Sequence, residues 1–297
     1  MPDNVKYDFK VALDDPNNSH SLLHRLVCET AAGPMSVLEV GCSSGYVGAT
    51  FTSKGHRVTG VEPDPASANA ARGVLDEVFT GGIDDFLDGA QGRRFDALLF
   101  GDVLEHLADP AATLRRCVQM LAPGGRIGIS LPCATHGSIR AMLLGGRWDY
   151  GDYGLLDRTH LRFFSREGAM ELLAAAGLQA ERVVAVLQPI DVVVREYGMP
   201  VRPEAIAAVE ALADDEDLMT FQFVIRAVLA PDPDDDAGLL ARNRAVRVEK
   251  AIDLPRIPGQ RSLLQRLRTR LLRGLVSGLT RRRFRGTGQP TTGTTSA

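Results

Sequence analysis

The sequence predicts an α/β fold: a doubly wound, mostly parallel sheet of seven strands. Three observations carry that expectation. Short β-rich apolar runs alternate with helical patterns along residues 36–229. Four runs, SVLEV (36–40), RVTGVE (57–62), FDALLF (95–100) and RIGISL (126–131), are apolar almost throughout, as strands covered on both faces must be. The first of them runs into a glycine-rich turn that opens directly into a helix, EVGCSSGYVG.

The remaining elements follow in order. EVFTG (77–81) is a weaker strand. A helix over 110–120 has Asp109 as N-cap and Pro110 in its first position, and stops at Pro-Gly-Gly. Residues 137–145 read as a short helix, followed by the aromatic, glycine-rich GGRWDYGDYGLLDRTH. A firmer helix over 166–176 is capped by Ser165 and stopped by Gly177. AERVVAVL (180–187) and TFQFVIRAVL (220–229) complete the strands, with a helix near 203–213 between them. The domain expectation is a covering segment and helix over 1–35, a sheet domain over 36–230 with a lid insertion over 133–164, an acidic linker over 231–236, a basic C-terminal helical extension over 237–285, and a disordered tail over 286–297.

Composition, 44% hydrophobic and 24% charged, is that of an ordinary soluble protein. Cys28, Cys42, Cys117 and Cys133 show no CxxC pair and no ligand spacing, which argues against a disulfide framework or zinc site and fits a reducing cytoplasm. No clustered metal-ligand set is legible, so no metal is expected. MPDNVKYDFK lacks the apolar core of a signal peptide, and no run of about 18 uncharged apolar residues exists to span a bilayer. The expected location is cytoplasmic, with peripheral contact to the inner face of a membrane as an option. The net charge of −3 is split: residues 237–297 hold 14 basic and 2 acidic side chains, against 20 basic and 35 acidic in 1–236. So acidic a body counts against nucleic acid as its partner.

In the first turn Glu39 precedes Gly41, Gly45 and Gly48. Glycines there let a ligand approach the backbone. Ser43 stands where a dinucleotide fingerprint requires the glycine that admits a pyrophosphate. Glu62 ends the second strand, 21 residues after Gly41, where a carboxylate can accept both ribose hydroxyls. The pattern fits an adenosine-type ligand without a pyrophosphate. The plain alternatives are a turn glycine at Gly45 and a solvated strand end at Glu62.

In order, spacing and content, VLEVGCSSGYVG, VTGVEPD, FDALLFGDVLEHLADP and LAPGGRIGISLP resemble the class I S-adenosylmethionine (SAM)-dependent methyltransferases, over roughly residues 17–229. The resemblance implies a Rossmann-like sheet and SAM as cofactor. It implies Gly41 and Gly45 against the methionine part of SAM, Glu39 holding the loop, and Glu62 on the ribose. It also implies Asp84 on the adenine amino group with Ile83 packed on the ring, and Asp102 facing the ammonium. Gly82 stands where the family often carries an acid, which leaves the choice between Asp84 and Asp85 open. His106 in LEHL reads mainly as structural. His20 in NNSH either touches the methionine end or merely sits in a helix start capped by Ser19.

Methyl transfer requires nucleophile and methyl to be held in line, water excluded, and a hydroxyl acceptor relieved of its proton. Residues 133–164 leave the carboxyl end of a strand and should roof the methyl. Trp148, Tyr150 and Tyr153 offer aromatic surface for an acceptor. His160 is a candidate base oriented by Asp157, and Arg158 or Arg162 could grip an anionic group. The competing reading has His160 and Asp157 tie the lid to the sheet while Phe163 and Phe164 plug the core. LLDRTHLRFF after an aromatic linker also resembles a branch associated with bacterial glycan and surface-polysaccharide systems, which implies O-methylation of a sugar or glycan hydroxyl. The alternatives are a natural-product or quinone-type O-methyltransferase, and a non-catalytic SAM-binding scaffold module.

In RSLLQRLRTRLLRGLVSGLTRRRFR (261–285), Leu263, Leu264, Leu267, Leu271, Leu275 and Leu279 share one helical face opposite Arg266, Arg270 and Arg273. Such a helix can lie on an anionic membrane surface, dock on a partner, or fold onto its own acidic body.

Overall fold

A computed structural model describes residues 11–212, 217–233 and 235–253. The strands are β1 (Ser36–Val40), β2 (Arg57–Glu62), β3 (Glu77–Thr80), β4 (Phe95–Gly101), β5 (Leu121–Pro132), β6 (Leu178–Leu187), β7 (Thr220–Leu229) and β8 (Val248–Lys250). They form one sheet in the order β3-β2-β1-β4-β5-β7-β6-β8, with β7 antiparallel to both of its neighbours. Winding proceeds outward from β1 in one direction and from β4 in the other. A crevice therefore opens beyond the carboxyl ends of these two adjacent strands, where ligands of such sheets bind.

Side-chain alternation divides the core between the two sheet faces. Leu38, Leu98 and Phe223 join one cluster, with Phe100, Ile127 and Leu173, while their neighbours Val37, Leu99 and Val224 join the other, with Leu22, Leu26 and Phe51. Helix α1 (Ser19–Cys28) packs on the second face. Its N-cap is Asn18, whose side chain accepts from the His20 and Ser21 N–H groups, so the cap expected at Ser19 lies one residue earlier.

The helices α2 (Gly48–Thr52), α3 (Pro65–Ala71), α4 (Ile83–Gly89) and α5 (Pro110–Val118) cross between parallel strands. Asp109 caps α5 as expected, but Pro-Gly-Gly lies inside the irregular start of β5. After β5 come α6 (Gly137–Leu144), the lid loop, and α7 (Arg166–Ala175), which Ser165 caps. The helices α8 (Ile190–Glu196) and α9 (Pro203–Leu212) lie between β6 and β7.

The sheet has eight strands, where the sequence pattern gave seven. Three residues of mixed polarity, Val-Glu-Lys, carry no periodic signal, and only pairing with β6 makes them β8. Residues 237–253 are accordingly not a separate extension. Helix α10 (Asp236–Ala245) packs against α7, and buried Asn243 clamps β6 through the Ala180 N–H (2.8 Å) and the Leu178 carbonyl (3.0 Å). No helix among the described residues is long and apolar enough to cross a membrane. The amphipathic segment 261–285 and the tail 286–297 lie outside the described residues.

Candidate active site

Among the described residues, strained non-glycine backbone lies at the tips of β1 and β4. Beyond β1, Gly41 (φ +67°), Ser43 (φ +48°) and Gly45 (φ +82°) are left-handed, and beyond β4 so is Asp102 (φ +54°). Among the described residues, Ser43 and Asp102 are the two non-glycine positions with positive φ, and both face the crevice mouth. Glycine is required at 41 both by φ and by space, because a Cβ would sit 2.6 Å from Val103 Cγ2. A Cβ on Gly48 would overlap Glu39 Oε2, so the loop and α2 close directly on that carboxylate.

Glu39 is buried beneath the bend. Burial pushes its carboxyl up to about 8, opposed by the Gly48 N–H and reinforced by Glu62. Its Oε2 has no hydrogen-bond partner. Glu62 is fixed at the tip of β2, accepting from the Ser43 N–H through Oε2 (2.8 Å) and from the Asp64 N–H through Oε1 (2.9 Å). Asp102 Oδ1 accepts from Ser130 Oγ (2.7 Å) and Gln222 Nε2 (2.9 Å), and His20 Nε2 lies 3.4 Å from Oδ2. Burial works to raise the Asp102 carboxyl, but His20, Ser130 and Gln222 together outweigh it and hold the group below the ordinary carboxylate range. His20 also meets Tyr46 edge to face. Thus Gly41, Gly45, Glu39, Glu62, Asp102 and His20 converge on one mouth. Ile83 is buried at the start of α4, with Phe86 in the same cluster. Asp84 instead points to the outside of α4, paired with Arg116, which also holds Asp88 (2.5 Å).

The lid begins and ends on this mouth. Its return strand hangs from the one-turn 3₁₀ helix Leu104–His106 just beyond Asp102, where the Glu105 carbonyl accepts from the N–H groups of Leu161 (2.8 Å) and Arg162 (3.0 Å). Asp157 Oδ1 accepts from the Thr159 N–H (2.8 Å) and Oγ1 (2.6 Å), folding the loop so that His160 turns inward. His160 is buried, with Nε2 4.0 Å from Glu105 Oε1 and its ring edge to face with His106 at 4.8 Å. Burial, then His106, depress its basicity against the pull of Asp157, a hydrogen bond to the Leu155 carbonyl, and Asp102, so His160 is neutral at neutral pH. Burial pushes the Glu105 carboxyl well above its ordinary value, with Asp102 and Asp157 adding to the effect.

Glu105, His106 and His160 each bring one atom able to bind a metal to within 4.8 Å of the others. Sequence spacing hid this grouping because 54 residues separate His106 from His160. Trp148 and Tyr150 stand edge-on or tilted against Phe163, which meets His160 at 6.2 Å. Tyr153 is exposed on the rim. The arginines are engaged elsewhere: Arg158 pairs with Asp152 (2.7 Å), and Arg162 donates to the Ala108 carbonyl. Phe164 is buried in the core as expected, whereas Phe163 lines the lid side.

Sequence reading missed Ser130, Gln222 and Tyr197. The first two were visible as polar interruptions of apolar strands. Tyr197 ends α8, stacks on Phe221, and lies so close to Gly154 of the lid that a Cβ there would come within 2.5 Å of its ring.

A model of the methyltransferase domain family matches residues 15–183. The ubiquinone biosynthesis O-methyltransferase of Xylella fastidiosa (strain 9a5c) is 30% identical over 148 residues, 45% of this chain and 60% of that protein. The enzyme of the same name from Maricaulis maris is 27% identical over 157 residues, 48% of this chain and 62% of that protein. The chain thus spans about three-fifths of the length of these two relatives. Two solved structures share the architecture. A SAM-dependent methyltransferase from Archaeoglobus fulgidus aligns with a TM-score of 0.50 at 16% identity, covering 70% of this chain and 91% of that one. The magnesium protoporphyrin IX methyltransferase of Synechocystis PCC 6803, solved with bound SAH, gives 0.51 at 14% identity, covering 76% and 91%. The chain has the fold of the SAM-dependent methyltransferases and belongs to the methyltransferase domain family.

Proposed function

We propose that the protein is a SAM-dependent methyltransferase acting on a hydroxyl of a small-molecule acceptor. The observation that carries this reading is the meeting, at one switch point of the sheet, of a ligand-admitting bend with the buried His160 corner. When bound, SAM supplies a methyl on a sulfonium, ready for in-line displacement. Glu62 keeps a free lone pair on each oxygen for two ribose hydroxyls, and its backbone bonds fix their direction. Asp102, ionised and aligned by Ser130 and Gln222, faces the ammonium, with His20 closing the methionine end. Because Asp84 is held by Arg116, Asp85 takes the adenine amino group: its Oδ2 lies 3.5 Å from where a Gly82 Cβ would be, beside the β3–α4 turn. Ile83 forms the ring floor.

At the acceptor side, Trp148, Tyr150 and Phe163 present flat apolar surface next to His160, which is neutral and thus able to take a hydroxyl proton. The relatives named for ubiquinone biosynthesis are O-methyltransferases, which supports a small flat acceptor over the sugar or glycan hydroxyl expected from the lid resemblance. Calorimetry with S-adenosylhomocysteine should show saturable binding, and labelled methyl should pass to phenolic rather than glycan acceptors. His160→Ala should lower turnover at least ~100-fold with S-adenosylhomocysteine affinity unchanged. NAD saturating the crevice with no heat from S-adenosylhomocysteine would overturn the reading, and near-normal turnover in the variant would make His160 a strut of the lid.

A further inference from the structure

We propose that Glu105, His106 and His160 form a binding site for one divalent first-row transition cation, placed to hold the acceptor's hydroxyl oxygen. The inference rests on the reading of this corner as the acceptor side of a methyltransferase site. Two imidazoles and one carboxylate converging on a point are a donor set that zinc, cobalt(II) and manganese(II) accept, leaving further positions for water or substrate. The three donor atoms lie within 4.8 Å of one another, and the His160–Glu105 pair is 4.0 Å apart. Ligation at about 2.1 Å needs donors roughly 3–3.5 Å apart, so a contraction of about 1 Å closes the site.

Three independent features point to a ligand rather than to packing. Both carboxylate oxygens of Glu105 are buried without a hydrogen-bond partner, although its side chain is 2% exposed. A carboxylate left in that state is costly unless something cationic meets it. His106 Nδ1 donates to the Thr159 carbonyl (3.2 Å), which leaves the other ring nitrogen for a cation, and the His160 ring is likewise tied to the Leu155 carbonyl. Backbone carbonyls orienting imidazoles in this way are the usual outer support of metal-ligating histidines. Two ligands come from the 3₁₀ turn beyond β4 and the third from the lid, so the cation would also fasten the lid over the acceptor.

In chemical terms the cation stabilises the deprotonated acceptor oxygen, and the hydroxyl proton leaves to solvent. That oxygen then forms the new O–C bond, while the C–S bond breaks and its electron pair returns to sulfur, leaving a neutral thioether. With a cation bound, His160 serves as its ligand and the proton leaves to solvent; without one, His160 takes the proton itself.

The test uses the full chain, stripped with chelator and titrated with cobalt(II) and zinc. One equivalent of cobalt(II) should give d–d absorption with imidazole-ligand intensity, displaced by zinc. Glu105→Gln, His106→Ala and His160→Ala should each weaken cobalt(II) at least ~100-fold, while S-adenosylhomocysteine affinity is kept as the control for folding. Should His160→Ala not fold, the half-buried His106→Ala decides by the same readout. Absence of a cobalt(II) spectrum in wild-type protein that binds S-adenosylhomocysteine normally overturns the cation site and leaves the methyltransferase reading standing. Unchanged cobalt(II) affinity in the three variants overturns it too, by placing the metal elsewhere. A chain that binds cobalt(II) at these residues but no S-adenosylhomocysteine would separate the two, sinking the methyltransferase reading alone.

Discussion

Glu39 is the residue on which stability and function oppose one another. Its carboxyl titrates near 8 in the folded chain, against 4.5 when free, so between these values the folded state holds a proton that the unfolded state has released. Stability therefore falls as pH rises from 4.5 to 8, by an amount of the order of a few kcal/mol. Glu39→Gln should raise the melting temperature of the ligand-free protein at pH 8, with the gain vanishing by pH 4.5, and should weaken SAM binding. Thermal scans across that range, paired with calorimetry, check both halves. Gly41→Ala should fail differently. It forces a non-glycine residue to φ +67° and drives a Cβ against Val103, so cofactor affinity should fall sharply while the far sheet edge stays folded, as hydrogen exchange on β6 and β7 would show.

At the scale of elements, caps place chemistry as well as ending helices. The Asn18 side chain satisfies the His20 and Ser21 N–H groups and so sets the angle at which His20 meets Asp102. Asn18→Ala should cost about 1 kcal/mol of stability by denaturant titration and, beyond that, reduce affinity for S-adenosylhomocysteine. Asn17 works alongside, bonding the Leu187 carbonyl (2.7 Å) and N–H (2.9 Å) to tie the start of the chain to the end of β6. At the opposite end of β6, Asn243→Ala strips partners from two of the strand's backbone groups, each worth roughly 1–3 kcal/mol when buried and unsatisfied. It should therefore lower the denaturant midpoint strongly without touching the cofactor site.

For the whole molecule, two buried histidines set the acid limit. His24, bonded to Thr50 Oγ1 at 3.0 Å, is brought down to about 4 by burial, and then by His56 and Lys54. His136, bonded to Ser138 and to the Gln188 carbonyl, is brought down to about 4 by burial against the Gln188 bond. Folded pKa values below the unfolded 6.5 mean that the unfolded chain binds more protons in this window. Stability from both residues is whole above pH 6.5 and lost as pH falls toward 4. The midpoint of urea unfolding should drop over that interval, and His24→Gln should flatten the dependence. The Glu39 effect runs in the opposite sense over a window that overlaps this one; two histidines outweigh one carboxyl up to pH 6.5 and only the Glu39 loss remains above it, so stability should peak near pH 6.5.

The sequence by itself determined the parallel winding, the glycine bend with its carboxylate partner at Glu62, and the caps at Asp109 and Ser165, because these depend on local periodicity and on residues a few positions apart. The family resemblance pointed to Asp102, and the position of the lid after the fifth strand pointed to His160. It did not reveal β8, since Val-Glu-Lys becomes a strand only where β6 offers an edge, nor the commitment of Asp84 to Arg116, which depends on α4 meeting α5. The gathering of Glu105, His106 and His160 was decided by tertiary structure alone. Two backbone hydrogen bonds bring the lid back to the turn beyond β4, and contacts between residues more than fifty positions apart leave no trace in the spacing of a single chain.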